Sequence, residues 1–167
     1  YRAIWPCLAP YLRDRPLVLT RYPDGIEGKS FFQKNAPDFI PEWLDTCRID
    51  DAELFLCNDL EALVYVVNLG CIPLHRGSAR RGTIEHPDWT ILDLDPKEAP
   101  FAHVVRVARH IRAILEPLGV PHFIKTSGQA GLHILIPLNA KLTHAEAKTF
   151  AEVIARVVVV DLGDIAT

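Results

Sequence analysis

Residues 89–95 form a short, mostly apolar run with β-branched and aromatic side chains, and this pattern predicts a β-strand. Pro87 precedes the run and Pro96 follows it, as expected for the two ends of a strand. Because side chains alternate along a strand, Asp93 and Asp95 share one face with Trp89 and Ile91, opposite the leucines. That face therefore carries two carboxylates whose backbone positions lie roughly 6 to 7 Å apart.

The sequence after this strand continues with regular periods. It predicts an amphipathic helix over 102–118, strands over 120–125 and 132–137 joined by a tight loop, and a last helix. A capping box at 143–146 starts that last helix, which is expected to reach about residue 160. The order β-α-β-β-α over 86–160 is typical of a split βαβ, RRM-like or ferredoxin-like unit that lacks its final strand. The inner face of the first helix is predicted to contain Val104, Val107, Ala108, Ile111, Ile114, Leu115 and Leu118.

Residues 1–85 have a shorter and less regular pattern. The elements predicted there are a helix over 2–12, a hairpin over 17–34, one or two strands over 48–57, a helix over 58–69 and a strand over 71–75. We expect one of Phe31 and Phe32 to lie in the core, and the helix over 58–69 to bury Leu60, Leu63, Val64 and Val67. The predicted class is α+β: one domain over 1–167 with an N-terminal β-rich and helical part over 1–85 and a mainly antiparallel RRM-like core over 86–160.

Composition narrows the function classes. The chain has 167 residues, 49% of them hydrophobic and 23% charged, which is ordinary for a globular protein. A net charge of −3 gives no general attraction for nucleic acid, so any polyanion would need a local basic patch. No run is apolar and long enough to span a membrane, no signal peptide is present, and the four cysteines lack metal-ligand spacing. A reduced cytoplasmic protein with buried thiols is expected.

Two stretches carry residue types suited to phosphate chemistry. Asp93 and Asp95 are placed to share a hard cation, although two surface aspartates at a strand end would show the same pattern. The loop over 125–133 offers side-chain donors and two glycines, typical of an anion cradle, although a simple hairpin turn is the commoner meaning. Its candidate donors are Lys125, Ser127, Gly128, Gly131 and His133. Carboxylates and an anion cradle on neighbouring strands are the arrangement found in metal-dependent phosphoryl transfer.

Five segments spread along the chain carry a family resemblance. They are Arg-Tyr-Pro-Asp-Gly at 21–25, Phe-Phe-Gln-Lys at 31–34, residues 68–75, His-Pro-Asp to Asp-Leu-Asp-Pro at 86–96, and residues 125–133. Together they resemble the primase-polymerase domain of bacterial ATP-dependent DNA ligase D. This domain belongs to the archaeo-eukaryotic primase superfamily and works in non-homologous end joining.

The resemblance implies roles for individual residues. Asp93 and Asp95 would hold Mn²⁺ or Mg²⁺ while a primer 3′-hydroxyl attacks the α-phosphate of a nucleoside triphosphate. Ser127, the amides of Gly128 and Gly131, and His133 would hold the triphosphate, with support from Lys34 and Lys125. His75 would lie near the sugar of the incoming nucleotide, where such enzymes commonly favour ribonucleotides. Without the resemblance, Lys34 would be taken for a solvated hairpin lysine and His75 for a core histidine. Arg21 either serves this pocket or braces its hairpin, and Arg76, Arg80 and Arg81 either follow a nucleic-acid backbone or form a solvated loop.

The resemblance also implies partners and exposes departures. Expected partners are DNA ends with a 5′-phosphate, ribo- or deoxyribonucleoside triphosphates, and a ligase and Ku-type end-binding proteins, in a bacterial or archaeal nucleoid and away from membranes. The family's third metal-binding aspartate has no counterpart, because Asp161 and Asp164 follow the last helix too closely, and Gly77 stands where the family has an aromatic residue. The chain also lacks the family's N-terminal lysine segment and contains no methionine. We therefore expect a chain truncated at both ends.

The sequence is also compatible with two other functions. The first is a catalytically weak or inactive module that binds nucleotides or DNA ends. The second is a phosphohydrolase of the haloacid dehalogenase type, which also has Asp-x-Asp after an apolar strand. That fold requires a parallel sheet and a small hydroxyl residue or valine where this chain has Lys97, so the pattern disfavours it.

Overall fold

The computed structural model describes residues 1–167, which divide into two compact units, Tyr1–Ile84 and Glu85–Thr167. The class is α+β with antiparallel sheets, as predicted. The first unit contains α1 (Trp5–Leu12), β1 (Leu17–Arg21), β2 (Phe31–Gln33), β3 (Thr46–Ile49), β4 (Ala52–Phe55), α2 (Leu60–Asn68) and β5 (Cys71–Arg76).

Strand β1 is the centre of the first sheet. β5 pairs with it antiparallel over its whole length, from Leu17 opposite Arg76 to Arg21 opposite Cys71. A strand has two edges, so the other neighbours of β1 share its second edge: β2 pairs with residues 19–21 and β4 touches only Leu17. The pairing partner on that edge therefore changes from β4 to β2 along β1.

The core of the first unit lies between this sheet and α2. Asp59 caps α2 by accepting a hydrogen bond from the Ala62 N–H, and Gly70, with a φ of +75°, follows its end. Two predictions were wrong: Phe31 and Phe32 are both exposed, and so is Val64. β2 is only three residues long and the Phe31 ring meets the Arg21 guanidinium beyond the core, which explains its exposure. The largest fully buried apolar residues are Leu17, Leu19, Phe55, Leu56 and Leu63.

The second unit is a three-stranded antiparallel sheet covered by two helices. Its elements are β6 (Trp89–Leu94), α3 (Phe101–Leu115), β7 (Phe123–Thr126), β8 (Leu132–Pro137) and α4 (His144–Asp161), with β8 in the middle of the sheet. The predicted capping box is confirmed, since Thr143 and Glu146 each bond the other's backbone N–H. Leu92 of β6 and Ile134 and Ile136 of β8 belong to one buried cluster with Ile111 of α3 and Ile154 of α4.

The end of α3 differs from the prediction. α3 ends at Leu115, so Leu118 is 67% exposed and does not belong to the inner face. Pro117 disfavours helical geometry at the residue before it, and Gly119 has a φ of +64°, which together turn the chain early. No helix has the length and apolar character that crossing a membrane requires.

Candidate active site

Three chemically distinct side chains occupy one row across the sheet of the second unit. Asp93 on β6 pairs with His133 on β8, and His133 pairs with Lys125 on β7. Residues directly opposite one another in adjacent strands project from the same face. The row therefore places a carboxylate, an imidazole and an ammonium side by side, with Nε2 of His133 3.3 Å from Oδ1 of Asp93.

The alternation of the strands keeps this row out of the core. The adjacent row, Leu94 with Leu132, points to the face covered by the helices, and Leu132 is buried. The Asp93 side chain is 66% exposed, whereas that of His133 is 24% exposed. The carboxylate is thus open to a ligand, while its histidine partner is held more firmly by its surroundings.

Asp95 lies one residue past the end of β6, in a tight turn. Its Oδ1 accepts a hydrogen bond of 3.3 Å from the Lys97 N–H, and Lys97 has a φ of +50°. Asp93 and Asp95 line a cavity of about 420 Å³ together with His103 of α3 and residues 165–167. The turn thus leaves Asp95 lining the same cavity as Asp93.

The donor set of this cavity suits a hard divalent cation. No lysine or arginine forms an ion pair with Asp93 or Asp95, so the negative charge of these two carboxylates is not neutralised within the fold. Mg²⁺ and similar ions are commonly held by one or two carboxylates, with water and substrate phosphate completing the shell. No group of three or more His, Cys, Asp or Glu side chains, here or elsewhere in the chain, is arranged to hold a metal ion without further ligands. The residues present therefore fit a metal held jointly with a phosphate.

The Ser127 side chain organises the loop between β7 and β8. Its Oγ accepts hydrogen bonds from the Gly131 N–H at 3.0 Å and the Gln129 N–H at 3.3 Å. Its own O–H hydrogen stays available for a ligand oxygen. The Gly131 amide, by contrast, is engaged inside the loop. A Cβ at Gly131 would lie 2.5 Å from the Leu94 carbonyl oxygen, so only glycine lets the loop lie this close to β6.

His75 forms the centre of a second group, in the first unit. Its Nε2 shares a hydrogen bond of 2.8 Å with the hydroxyl of Thr20, which is buried on β1. The ring of Phe32, which is 70% exposed, lies 5.6 Å from the His75 ring. Register explains the cluster, since Thr20 pairs with Phe32, while His75 pairs with Val18, two residues before Thr20 on the same face. Thr20 was not predicted, because nothing local signals its contact with a residue 55 positions away.

Arg21 makes the contacts of a hairpin brace. Its Nε donates to the Leu69 carbonyl at 2.7 Å and its Nη1 to Oε1 of Gln33 at 2.9 Å, while the guanidinium lies over the Phe31 ring. Lys34 follows Gln33 directly, is exposed, and engages no hydrogen bond or ion pair. Of these two cations, Lys34 is the one available to an anion.

The basic loop, defined here as residues 76–82, is held by contacts within the first unit. Arg81 pairs with Asp14 at 3.0 Å and with Asp45 at 3.7 Å, and Arg80 donates to the Arg13 carbonyl at 2.6 Å. The Arg76 guanidinium lies over the Tyr11 ring, and burial lowers the pKa of Arg76. The role of these arginines in DNA binding stays a prediction.

The predicted site residues thus fall into two groups. The first unit contains Lys34 and His75, and the second unit contains Asp93, Asp95, Lys125, Ser127, Gly128, Gly131 and His133. Within the second group, strand register brings Asp93, His133 and Lys125 together and the cavity adds Asp95. His103, at the start of α3, was not predicted, because its position beside the carboxylates depends on how α3 packs.

Comparisons with known proteins give a consistent result. The LigD primase-polymerase domain model matches residues 1–167. The chain is 38% identical over 153 residues to the multifunctional non-homologous end joining protein LigD of Pseudomonas aeruginosa, covering 87% of this chain and 18% of that protein. It is 30% identical over 154 residues to the bifunctional LigD protein of Bacillus subtilis, covering 89% of this chain and 24% of that one. The chain thus spans about a fifth of the length of these curated relatives.

A solved structure shares the fold. The polymerase domain of Mycobacterium tuberculosis ligase D, in complex with DNA, superimposes with a TM-score of 0.87 at 22% identity, over 96% of this chain and 60% of that one. This match confirms the α+β architecture described above. Since the family model extends over every residue described here, the chain belongs to the LigD primase-polymerase domain family.

Proposed function

We propose that the chain is a DNA-directed nucleotidyltransferase of the primase-polymerase type, adding nucleotides to DNA ends or gaps during non-homologous end joining. The observation that carries this proposal is the row Asp93–His133–Lys125. It places a cation-binding carboxylate and two anion-binding groups side by side on one open face. Family membership supports the same reaction class.

Asp93 and Asp95 are the proposed ligands of Mn²⁺ or Mg²⁺. When bound, the cation supplies positive charge at the α-phosphate and at the attacking 3′-hydroxyl. Neither carboxylate is paired with a lysine or an arginine, and only the His133 ring approaches Asp93, so both have oxygens available to a cation. The Lys97 N–H bond fixes one oxygen of Asp95 and so orients the carboxylate before any ligand arrives.

The remaining side chains of the second unit are assigned to the triphosphate. Ser127 donates its hydroxyl hydrogen, whose direction is set by the two amides that already bond Oγ. His133 and Lys125 add a ring N–H and an ammonium on the same face. Charge-assisted contacts of this kind hold a phosphate in one orientation, and such positioning is the main contribution of a protein to phosphoryl transfer.

In the first unit the proposal assigns His75 and Lys34 to nucleotide binding. The hydrogen bond to Thr20 fixes the tilt of the His75 ring, leaving Nδ1 for a sugar hydroxyl. Lys34 supplies an unpaired positive charge for an anionic group. DNA ends bearing a 5′-phosphate are the proposed polymer substrate, with a contribution of Arg76, Arg80 and Arg81 to backbone contacts. A ligase and Ku-type end-binding proteins are the proposed partners.

The test is Mn²⁺-dependent extension of a gapped, 5′-phosphorylated DNA. Replacing both carboxylates, Asp93→Asn with Asp95→Asn, is expected to lower the extension rate by about 1,000-fold or more, as expected when groups acting as one unit are lost. Asp161→Asn with Asp164→Asn is the matched control. These aspartates bond His110 and Arg106 of α3 and do not line the cavity of Asp93 and Asp95, so their replacement is expected to leave the rate within about twofold.

Nucleotide binding measured in parallel separates catalysis from binding. Extension by the parent chain that is lost only in the Asp93/Asp95 variant supports the proposal. If the parent chain binds ATP with Mn²⁺ but extends no DNA, the chain is a nucleotide-binding module. If the control variant loses as much activity as the site variant, the assignment of Asp93 and Asp95 fails.

A further inference from the structure

The side chain of Gln33 spans Lys34. Gln33 is the last residue of β2, and its Nε2 donates to the carbonyl of Asn35, two residues on, at 3.0 Å. Its Oε1 accepts the Nη1–H of Arg21 at 2.9 Å. Arg21 is itself fixed by a bond of 2.7 Å from its Nε to the Leu69 carbonyl. One amide therefore ties the backbone on both sides of Lys34 to β1 and to the end of α2.

A second pair of bonds holds the chain just after Lys34. Oδ1 of Asn35 accepts the Glu53 N–H at 3.2 Å, and the Ala36 N–H donates to the Glu53 carbonyl at 2.7 Å. Both fasten the segment to β4. Lys34 thus lies at the point where the neighbour of β1 changes from β2 to β4, between two anchored ends. A backbone anchored on both sides fixes the direction in which the Cα–Cβ bond of Lys34 leaves the chain.

Strand alternation assigns the two sides. Gln33 pairs with the buried Leu19 and so lies on the core side of β2, whereas Phe32 pairs with Thr20 on the open side. Continuing the alternation by one residue places Lys34 on the open side, with Phe32 and His75. None of the hydrogen bonds made by Gln33, Arg21 and Asn35 involves the Lys34 side chain. Lys34 engages no acceptor, so its ammonium is available.

We propose that Gln33 is a positioning residue for Lys34. Through Arg21 on one side and Asn35 on the other, it fixes the backbone so that the ammonium faces the His75 side of the sheet, where it meets an anionic group of a nucleotide. This inference rests on the proposed nucleotide-binding function. It extends that function by assigning to a specific amide a role in orienting the lysine.

A double-mutant cycle tests the inference, with ATP and Mn²⁺ as the probe and the dissociation constant as the readout. Lys34→Gln is expected to raise the dissociation constant about tenfold, the effect of one charge-assisted contact. Gln33→Leu removes both bonds at similar volume and is expected to raise it about threefold to tenfold, since the lysine loses its fixed direction. The double variant should bind no more weakly than Lys34→Gln alone, because the two effects act through one side chain.

Asn58→Leu provides the matched control. It is the corresponding amide-to-leucine change in the same unit, and it removes bonds to Asp14 and Asp45 that do not involve Lys34. We expect this variant to lower the melting temperature as much as Gln33→Leu does while leaving the dissociation constant unchanged. A merely structural role for Gln33 would make the two variants behave alike.

Three results would overturn the inference: an unchanged dissociation constant in Gln33→Leu, effects that multiply in the double variant, or no effect of Lys34→Gln. Ser127→Ala distinguishes these results from a failure of the proposed function. If Ser127→Ala weakens ATP binding while Lys34→Gln does not, the nucleotide site stands and the role of Gln33 is rejected. If neither change alters ATP binding, both proposals fall.

Discussion

The Asp93–Asp95 carboxylate pair of the second unit and the basic loop of the first unit look alike in the sequence, since each is a short stretch dense in charge of one sign. Their surroundings differ. Asp93 and Asp95 form no ion pair with a lysine or arginine side chain, and the Asp93 side chain is 66% exposed. In the basic loop, Arg81 is paired with two aspartates and Arg80 with a backbone carbonyl.

This difference shows when a cluster of side chains of like charge indicates a ligand-binding site. A fold that supplies counter-charges and carbonyl acceptors uses its arginines to join segments distant in sequence. A fold that leaves two carboxylates without a cation retains an unfavourable repulsion, which a bound metal relieves. Charge density alone does not separate these cases, whereas the identity of the nearest partner does. The changes that follow test this contrast, from the largest expected effect to the smallest.

Replacing Arg15 should disrupt the basic loop most. Arg15 is 1% exposed, and its Nη1 donates to the Ser78 carbonyl at 2.9 Å and the Gly77 carbonyl at 3.4 Å. Arg15→Ala leaves these acceptors unsatisfied beside a cavity, so we expect a loss of about 3 kcal/mol in the unfolding free energy of the first unit. Urea denaturation measures the loss, and hydrogen exchange should show its effect at residues 76–82. A loss below about 0.5 kcal/mol would mean that the buried arginine does not hold this loop.

Gly131→Ala tests the other region. The added Cβ would lie 2.5 Å from the Leu94 carbonyl oxygen, so the loop must move away from β6. We expect a cost of about 2 kcal/mol in unfolding free energy and a loss of ATP affinity as Ser127 shifts. Gly128→Ala is the matched control. A Cβ there meets nothing within 4 Å and the φ of +103° causes only backbone strain, so about 1 kcal/mol is expected. Equal effects on ATP binding would show that the contact with β6 does not position the loop.

The sequence predicted best what local periods control. The alternation of β6 and β8 and the capping box of α4 follow from neighbouring residues alone, and all three are confirmed. Leu118 was misplaced because Pro117 ends the preceding helix early, and Phe31 and Phe32 because β2 extends past the core. Such errors arise where packing, rather than periodicity, decides burial.

Prediction of the site was limited by register and by distance along the chain. Asp93, His133 and Lys125 were each predicted as candidates, but their common row depends on a pairing register that no motif displays. The hydrogen bond between Thr20 and His75 joins residues 55 positions apart. Arg81 and Asp14 are 67 positions apart, and their ion pair was equally hidden. Contacts of this kind depend on tertiary structure, so the sequence does not distinguish the paired arginines of the basic loop from the unpaired Lys34.

Alkaline pH should lower the stability of the first unit through its cysteines. All four cysteines lie in the first unit, and burial, with a smaller contribution from the charge of Asp59, raises the pKa of Cys57 from 9.0 to about 12. The folded state then holds its thiol proton longer than the unfolded chain, so this stabilisation is complete below about pH 9 and is lost as pH rises towards 12. From about pH 8 to 10 the first unit should lose about 1 kcal/mol through this thiol. Urea denaturation at both pH values, beside Cys57→Ala, measures the contribution; an equal loss in the variant would assign it to other groups.

Arg81→Ala should have the smallest effect and tests the contrast most directly. Its ion pair with Asp14 is about half exposed, with side chains 46% and 37% accessible, so we expect a stability loss of only about 0.5 kcal/mol. If the guanidinium serves the fold, the salt dependence of DNA binding should match that of the parent chain. A cation that contacts a DNA phosphate contributes about one unit to the slope of log affinity against log salt. If Arg81→Ala lowers this slope by about one unit, Arg81 exchanges its ion pair with Asp14 for a contact with a DNA phosphate. The basic loop would then be a ligand surface, as proposed for the Asp93–Asp95 pair.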